Sequence, residues 1–314
     1  FNLYRTFGVV PIARTVVPPA AAKLIPRCTE EEMYSLLTED LAEAARLLPD
    51  TRNAEKARVT GIAAYTLLAK VYLTFGKHAE ARTALDEAMK ATGYGLESTT
   101  KRVFDINNKM NKEVIFALYY NKTNDNGHGY WYSANTDVMA DIRNPTPEFK
   151  AIYDESDNRL ALIDTYTKIQ SNLFAMTKWY DTYDATYTTQ VGNDFPHLRY
   201  ADITLMYAEA LAETDLPTAL TWLNKTRIRA GLDELTSDDV KTKAEFIREQ
   251  AAERGREFAL EGHRWFDLVR LGLAVEHFRN LGYTLDAHNL IFPIPQNQIE
   301  IVNNPSILWQ NPGF

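Results

Sequence analysis

One stretch of the sequence, REFALEGHRWFDLVRLG at residues 256–272, combines residue types that can do chemistry. Its His263 and Asp267 are four residues apart and would share one face of a helix. Such a pair could bind a metal ion, or act as a general base with the carboxylate that orients it. A zinc site needs at least one further ligand and supporting hydrogen bonds, and the sequence offers no ligand at a recognisable spacing. The sequence therefore does not identify the further ligand and supporting groups that a metal site at His263 and Asp267 would need.

A structural role accounts for more of the same stretch. Small and apolar residues recur at spacings of four and three, the pattern of one helical stripe: Ala251, Gly255, Phe258, Gly262, Trp265 and Val269. We expect a helix that begins near Thr242 and ends at Gly272. Glycine in a helix costs about 1 kcal/mol relative to alanine, so we expect another backbone to pack closely against Gly255 and Gly262.

Charged side chains along this helix are spaced for ion pairs. Oppositely charged residues at i, i+3 stabilise a helix, and four such pairs are possible: Glu253 with Arg256, Glu261 with Arg264, Arg264 with Asp267, and Asp267 with Arg270. Ion pairs on a packed helix explain the whole stretch without a reaction. We therefore predict that residues 256–272 belong to a scaffold, and we expect no metal ion or other cofactor.

Other catalytic and metal-binding motifs are incomplete. The stretch DESDNRLALIDT, residues 154–165, resembles a calcium loop at its first, third and fifth positions. Arg159 stands where the loop needs glycine and Thr165 where it needs a bidentate glutamate, so it is not an EF-hand, although a calcium site of another type stays open. The sequence has no G-x-S-x-G motif, and its one cysteine, Cys28, has no neighbouring histidine. A glycosidase would need two carboxyl groups about 5–10 Å apart across a cleft, and 42 acidic residues do not identify such a pair.

Composition and charge narrow the class of protein. A chain of 314 residues, of which 45% are hydrophobic, can bury about three quarters of its unfolded surface, so a single domain needs no disulfide or metal ion. The net charge of -8 argues against a nucleic-acid partner, because phosphate binding requires a surplus of Lys and Arg. No apolar run reaches the ~20 residues that span a bilayer. Neutral or cationic ligands stay open.

Helical patterns occupy both ends of the chain. Thr29 and Glu32 have the spacing of a capping box at the start of a helix that runs to Leu48. Two antiparallel helix pairs follow: residues 58–75 with 77–91, and residues 199–213 with 217–230. The first pair has small and large residues at the offsets of a tetratricopeptide repeat, whose period is about 34 residues. A further helix ending at Phe7 would complete a preceding repeat, and three such units can stack into one core.

Residues 94–198 between these helices differ in character. EVIFALYY, residues 113–120, is typical of a β-strand, and the polar loop after it carries three adjacent aromatic residues, Tyr130, Trp131 and Tyr132. Aromatic rings beside amide and carboxylate groups suit ligands with apolar faces and many hydroxyls, such as sugars. We therefore predict that these rings stack on sugars. Four neighbours are predicted to hydrogen-bond to sugar hydroxyls: Asn126, His128, Asn135 and Asp137.

A second aromatic stretch, TKWYDTYDATYTTQ, supplies the last predicted ligand-binding residue, Trp179. The alternative for both aromatic clusters is that their rings cover the hydrophobic core beneath a long loop.

The predicted fold is mostly α, with tetratricopeptide-like helix pairs forming a scaffold, long irregular loops and minor β-structure. We expect one domain over residues 1–314, with four parts: helical repeats at about 1–93 and 199–272, a ligand-loop insertion at about 94–198, and an extended C-terminal segment at 273–314. Two prolines exclude a regular helix through the C-terminal segment, apart from one short helix at 296–302. Its apolar residues are expected to dock on the helices: Ile291, Phe292, Ile294, Ile299, Leu308 and Trp309.

Several of these stretches match one family. LRYADITLMYAEALAE (198–213), RGREFALEGHRWFDLVRLG (254–272) and IFPIPQNQIEIVNNPSILWQNPGF (291–314) closely resemble three C-terminal signatures of SusD/RagB-like nutrient-binding proteins. FGVVPIAR (7–14), EVIFALYY and the DNR at 157–159 fit the same pattern in the same order. The resemblance spans nearly the whole chain. It implies tetratricopeptide-like helix pairs as the scaffold and irregular loops that carry the ligand site.

The resemblance also implies a function and a location. Family members bind oligosaccharides before import and are not enzymes. They are lipoproteins of the outer membrane that face outward and cap a SusC-like TonB-dependent transporter. The family usually has a longer N-terminal portion with a lipidated cysteine, so membrane contact would run only through a lipid anchor that this chain does not contain. The binding loops vary, and the aromatic residues at 130–132 match them by position alone.

The residues and the resemblance together favour a non-catalytic protein that binds oligosaccharides at the cell surface and delivers them to a TonB-dependent transporter. The alternative is a protein- or peptide-interaction module of the same transporter complex with no glycan ligand, since helical repeats present extended surfaces to partners. A glycoside hydrolase is a third hypothesis, which release of reducing ends from a polysaccharide would support.

Overall fold

The structure is a computed structural model that describes residues 1–49, 58–120, 133–134, 146–164, 166–170, 173–179 and 192–314. This part of the chain is mostly helical. Its α-helices are α1 (Asn2–Phe7), α2 (Pro19–Ala22), α3 (Glu30–Leu47), α4 (Gly61–Thr74), α5 (His78–Ala88), α6 (Thr100–Val103), α7 (Pro147–Lys150), α8 (Leu160–Asp164), α9 (Tyr200–Leu211), α10 (Leu216–Arg229), α11 (Lys243–Glu257), α12 (Arg264–Arg270), α13 (Ala274–Asn280) and α14 (Gln296–Val302). Its strands are β1 (Val114–Leu118), β2 (Ser133–Ala134), β3 (Tyr166–Gln170), β4 (Leu173–Met176) and β5 (Phe195–Arg199). Within these ranges, no helix is both long and apolar enough to span a bilayer.

Capping boxes fix the starts of two long helices. At α3, Thr29 Oγ1 accepts a hydrogen bond from the Glu32 amide at 3.1 Å, and the Glu32 carboxylate accepts one from the Thr29 amide at 2.7 Å. Thr242 and Glu245 make the same reciprocal pair at the start of α11. Each box satisfies two backbone donors that have no partner inside the helix. The predicted capping box at Thr29 is confirmed.

The helix pairs form one continuous core. Helices α4 and α5 are antiparallel and joined at Gly76, which adopts the left-handed φ of 68° that favours glycine. Ala69 and Ala81 are completely buried between them, and their small side chains let the two helix axes approach. The same apolar cluster continues into α9, α10 and α11, with α9 packed on α5. The predicted tetratricopeptide-like scaffold is confirmed.

The long helix predicted from Thr242 to Gly272 is wrong. The chain leaves helical geometry after Glu257, and α12 begins only at Arg264. Leu260 and Gly262 between the two helices have left-handed φ angles of 66° and 79°, which an α-helix cannot contain.

The two stripe glycines therefore have different roles. A Cβ atom on Gly255 would lie 2.8 Å from Nη1 of Arg264, so a guanidinium packs there instead of the predicted second backbone. At Gly262, a Cβ atom would meet nothing within 4 Å, and this glycine serves the left-handed turn.

A two-stranded sheet closes the base of the insertion. Strands β1 and β5 are antiparallel, with Val114 opposite Arg199 and Leu118 opposite Phe195. The chain thus leaves the scaffold and returns to it at one place. Strands β2, β4 and β3 form a separate antiparallel sheet, in that order, within the insertion. The predicted strand at EVIFALYY is confirmed over its central five residues.

The C-terminal segment holds the N-terminal one in place. Arg27 donates hydrogen bonds to the Val9 carbonyl at 2.7 Å, to the Trp309 carbonyl at 2.8 Å and to Asn311 Oδ1 at 2.8 Å. Helix α14 is confirmed at 296–302. Of the six apolar residues expected to dock, Ile294 and Leu308 are buried, whereas Phe292 and Trp309 stay 51% and 40% exposed. Both rings dock only in part: Phe292 meets the Phe7 ring edge-on with centroids 6.4 Å apart, and the Arg27 guanidinium lies 4.8 Å from the centroid of the Trp309 ring.

Candidate functional site

A buried ion-pair network joins the insertion to the scaffold. Arg159 lies in the insertion, and its Nη1 contacts Glu253 Oε1 at 2.7 Å and Glu257 Oε2 at 3.0 Å on α11. Its other nitrogens bind Asp157 at 2.7–3.2 Å. The surrounding carboxylates raise the pKa of Arg159 well above its ordinary value, although burial opposes them. The charge of this arginine is therefore fixed at any pH at which the protein is folded.

Two carboxylates of the calcium-like stretch at 154–165 already have partners within the protein. The Asp157 carboxylate is taken by Arg159, and the Asp154 carboxylate accepts hydrogen bonds from the amide and hydroxyl of Ser156. In the part of the chain that the structure describes, no three His, Cys, Asp or Glu side chains are grouped closely enough to hold a metal ion.

Arg199, at the end of β5, occupies the centre of this network. Its guanidinium contacts Glu113 at 2.7 Å, Glu257 at 2.6 Å and Glu261 at 2.7 Å. Lys178, which lies just after β4 in the insertion, donates to Glu261 at 2.7 Å and to the Ala259 carbonyl at 2.6 Å. The side chains of Glu113, Glu257, Glu261 and Lys178 are all buried. Charged groups from β1, β5 and the α11–α12 connection thus position the insertion on the scaffold.

The structure contradicts the prediction that Trp179 binds a ligand. Its ring is only 2% exposed. It stacks on Phe195 with centroids 5.6 Å apart, and Phe104 meets it edge-on at 5.2 Å. A ring enclosed by two other rings has no face left for a sugar, so Trp179 covers the core, which was the alternative for this cluster. The other seven predicted residues lie outside the described ranges and stay predictions: Asn126, His128, Tyr130, Trp131, Tyr132, Asn135 and Asp137.

His263 and Asp267 do not form the pair that their spacing suggested. The Asp267 carboxylate contacts Arg254 Nε at 2.8 Å and Arg270 Nη2 at 2.9 Å. The His263 ring stacks on Phe258 with centroids 4.6 Å apart. Because two guanidinium groups already occupy its carboxylate, Asp267 is not placed to orient His263 as a base.

Two of the four predicted i, i+3 ion pairs are present. Glu253 contacts Arg256 at 3.1 Å, and Asp267 contacts Arg270 at 2.9 Å. The pairs predicted for Arg264 were wrong, because its Nη1 donates to the Ala251 carbonyl at 2.6 Å instead. The break between α11 and α12 turns these side chains away from the geometry of one straight helix.

A second chain of ion pairs links four helices, α4, α9, α11 and α12. Cations and anions alternate along it: Lys70, Asp202, Arg254, Asp267, Arg270 and Glu209. Its cations lower the pKa of Asp202 and of Asp267 against the opposing effect of burial. One signal of this network is visible in the sequence, since Lys70 interrupts an otherwise apolar helix. Its partners come from remote positions that no spacing rule connects.

An open cleft of about 540 Å³ lies over this second network, and His263 and Asp267 both line it. We call it the α1 cleft, because Tyr4, Arg5 and Gly8 of α1 and its end form one wall. Sequence reasoning did not anticipate this cleft. Its walls come from segments that are far apart in the chain.

Burial of His263 has a measurable consequence for stability. It lowers the pKa of this histidine from 6.5 to about 3. Between these values the unfolded chain binds a proton that the folded chain does not, so the contribution to stability is complete above about pH 6.5 and is lost toward pH 3. One proton corresponds to a slope of about 1.4 kcal/mol per pH unit. From about pH 6 to about pH 5, we expect the free energy of unfolding to fall more steeply in the wild type than in His263→Gln, measured by urea denaturation. Equal slopes would contradict the buried neutral imidazole.

Comparisons with known proteins agree with this architecture. The family model described as "SusD family" matches residues 157–314, and the one described as "Starch-binding associating with outer membrane" matches residues 1–73. SusD-like protein P2 of Formosa agariphila is 27% identical, over 100% of this chain and 71% of that protein. A SusD-like protein of Bacteroides ovatus is 24% identical, over 76% of this chain and 50% of that protein.

Solved structures give the same result. A SusD-like protein from Bacteroides fragilis superposes with a TM-score of 0.80 at 23% identity, over 99% of this chain and 77% of that one. A structure described as a laminarin binding SusD-like protein has a TM-score of 0.75 at 25% identity, over 100% of this chain and 76% of that one. Since one family model covers half of the sequence and the helical fold is shared throughout, the chain belongs to the SusD family.

Proposed function

We propose that this protein binds oligosaccharides without catalysis at the outer surface of the outer membrane and delivers them to a SusC-like TonB-dependent transporter. The observation that carries the proposal is the helical scaffold, which this chain shares with a laminarin binding SusD-like protein at 25% identity. The sequence of this chain adds an insertion rich in aromatic residues to that scaffold. A family model that names starch binding and outer-membrane association supports both the ligand class and the location. In this proposal the membrane contact is a lipid anchor.

The proposed sugar site lies in the insertion. Trp131, with Tyr130 or Tyr132, stacks on pyranose rings, and side chains of Asn126, His128, Asn135 and Asp137 hydrogen-bond to hydroxyl groups. Support comes from the base of the insertion, where Arg159 and Lys178 tie it to α11 and to the turn that follows. A loop mounted on a rigid base loses less conformational entropy when it binds a ligand.

The charges of the scaffold support a non-catalytic role. A glycosidase needs a carboxylic acid whose pKa is raised, so that it can protonate the leaving group. In the two buried networks, cations lower the pKa of Glu253, Glu257, Glu261, Asp202 and Asp267 instead. These carboxylates are ion-pair partners and are poorly suited to proton transfer.

A titration with a panel of oligosaccharides, including laminarin fragments, tests the proposal. We expect Trp131→Ala to weaken binding about tenfold or more, because a lost stacking contact and the apolar area it buried are together worth over about 1.4 kcal/mol. Trp309→Ala is the matched control: Trp309 is 40% exposed and lies in the C-terminal segment. Isothermal titration calorimetry gives both dissociation constants. Unchanged affinity in Trp131→Ala would remove the site assignment.

The interaction module without a glycan ligand predicts a different outcome. In that case no oligosaccharide of the panel binds, while the protein still copurifies with a TonB-dependent barrel. Because a transporter-associated scaffold is common to both hypotheses, only the glycan titration separates them.

A further inference from the structure

The α1 cleft combines an apolar wall with a polar floor. With a volume of about 540 Å³, it falls within the range of small-molecule sites, and it lies between helices, where such sites often occur. Six apolar residues line it: Val9, Leu73, Met206, Phe266, Val269 and Ile291. The cleft can therefore enclose the apolar body of a ligand.

The positive and negative charges on the floor of the cleft balance one another without a ligand. Three cations alternate with three carboxylates in the network that runs from Lys70 to Glu209. Each carboxylate has at least one cationic partner, and Asp202 and Asp267 each have two. This network leaves no charge that a ligand must neutralise.

Arg5 is a further cation on the wall of the cleft. Its guanidinium lies 3.8 Å from the centroid of the Phe266 ring, and its Nε donates to Asn2 Oδ1 at 3.1 Å. Within the ranges that the structure describes, Arg5 makes no ion pair. Its Nη1 and Nη2 make no hydrogen bond to the described residues, and a guanidinium group can make a bidentate contact with a carboxylate.

His263 adds a second polar group to the lining of the same cleft. Among the described residues, neither of its ring nitrogens makes a hydrogen bond, and the ring lines the cleft. A neutral imidazole carries one N–H donor. Glu30, which also lines the cleft, already accepts a hydrogen bond from the Tyr4 hydroxyl at 2.7 Å and lies in the first turn of α3.

We propose that the α1 cleft binds a small carboxylate with an apolar body. The carboxylate accepts hydrogen bonds from Arg5 and from His263, and the body lies against Phe266 and the aliphatic wall. The lining of this cleft shares no residue with the proposed sugar site, so either assignment can fail without the other.

The test uses a pair of probes that differ only in charge, 4-phenylbutyrate and 4-phenylbutan-1-ol, with the full chain and isothermal titration calorimetry. We expect the wild type to bind the acid about tenfold or more tightly than the alcohol, since only the acid can pair with Arg5. Arg5→Met is expected to remove this preference, and Arg5→Lys to retain part of it. Arg46→Met is the matched control, because Arg46 is exposed and its ion-pair partner among the described residues is Glu43 on α3. Circular dichroism checks that each variant is folded.

A second variant tests the cleft even if Arg5→Met does not fold. Val269→Trp places an indole in the cleft and is expected to weaken binding of acid and alcohol alike. The proposal is overturned if the wild type binds both probes equally, if neither binds at millimolar concentration, or if Val269→Trp binds the acid as the wild type does.

Discussion

Replacement of Arg199 by methionine is expected to lower the free energy of unfolding by about 3–5 kcal/mol at neutral pH. The loss is large because Arg199 pairs with Glu113, Glu257 and Glu261, all of which are buried. Without the guanidinium, carboxylates remain in a low-dielectric interior with too little positive charge around them. Urea denaturation followed by circular dichroism at pH 7 measures the change.

The pH dependence of this loss identifies its cause. Arg229 and Arg199 lower the pKa of Glu257, and Arg199 and Lys178 lower that of Glu261, in each case against burial. The contribution of these carboxylates to stability is therefore present above about pH 4.5 and is lost as the pH falls below it. In Arg199→Met these carboxyl groups can take up protons at higher pH and become neutral. We therefore expect the difference between wild type and variant to shrink as the pH is lowered.

Arg248→Met, on α11, is the matched control. Arg248 also pairs with a glutamate, Glu276, at 2.7 Å, but both side chains are about half exposed. Exposed ion pairs contribute about 0–1 kcal/mol, so this variant should lie close to the wild type. Equal losses in Arg199→Met and Arg248→Met would contradict the assignment of the buried network as the base of the insertion.

Phe246→Ala is expected to cost about 3–5 kcal/mol of unfolding free energy. Phe246 is completely buried and belongs to the apolar cluster that α11 shares with α9 and α10. Truncation removes the apolar contacts of the ring and leaves a cavity that the surrounding helices fill only in part. Chemical denaturation of both proteins under identical conditions measures the difference.

Phe292→Ala provides the comparison for this second effect. Phe292 is 51% exposed in the C-terminal segment, so its truncation removes less buried area and opens no cavity. We expect the loss for Phe292→Ala to be well below that for Phe246→Ala. If the two substitutions cost the same, α11 is not packed as a scaffold helix.

The parts of the fold that were predictable from sequence depend on contacts close in the chain. The capping box of Thr29 and Glu32 forms across three residues, and Pro295 immediately precedes α14. The apolar and small residues of α4 and α5 repeat with the period of a packed helix pair. Such signals act within one or two turns, so a single sequence contains them completely.

The break between α11 and α12 could not be predicted in this way. The stripe that includes Gly255, Phe258 and Gly262 keeps helical spacing through a segment that is not helical. What interrupts the helix is the left-handed backbone at Leu260 and Gly262. The turn also brings Glu261 to Arg199, which is 62 residues away in the chain, and spacing rules do not reach that far.

The candidate sites also depend on contacts between residues that are far apart in the chain. Trp179 and Trp131 look alike in sequence, since both lie among tyrosines and polar residues. The burial of Trp179 depends on Phe104 and Phe195, which reach it only in the folded chain. The α1 cleft likewise exists only because Arg5, Lys70 and His263 meet in space.

The central claim is that the residues around Trp265 are scaffold and that recognition belongs to the insertion. Hydrogen–deuterium exchange, with and without the oligosaccharide that binds most tightly in the panel, tests it directly. We expect bound sugar to slow exchange at backbone amides of residues 126–137 and to leave residues 253–270 unchanged. Protection confined to residues 253–270, with none in the insertion, would contradict the claim.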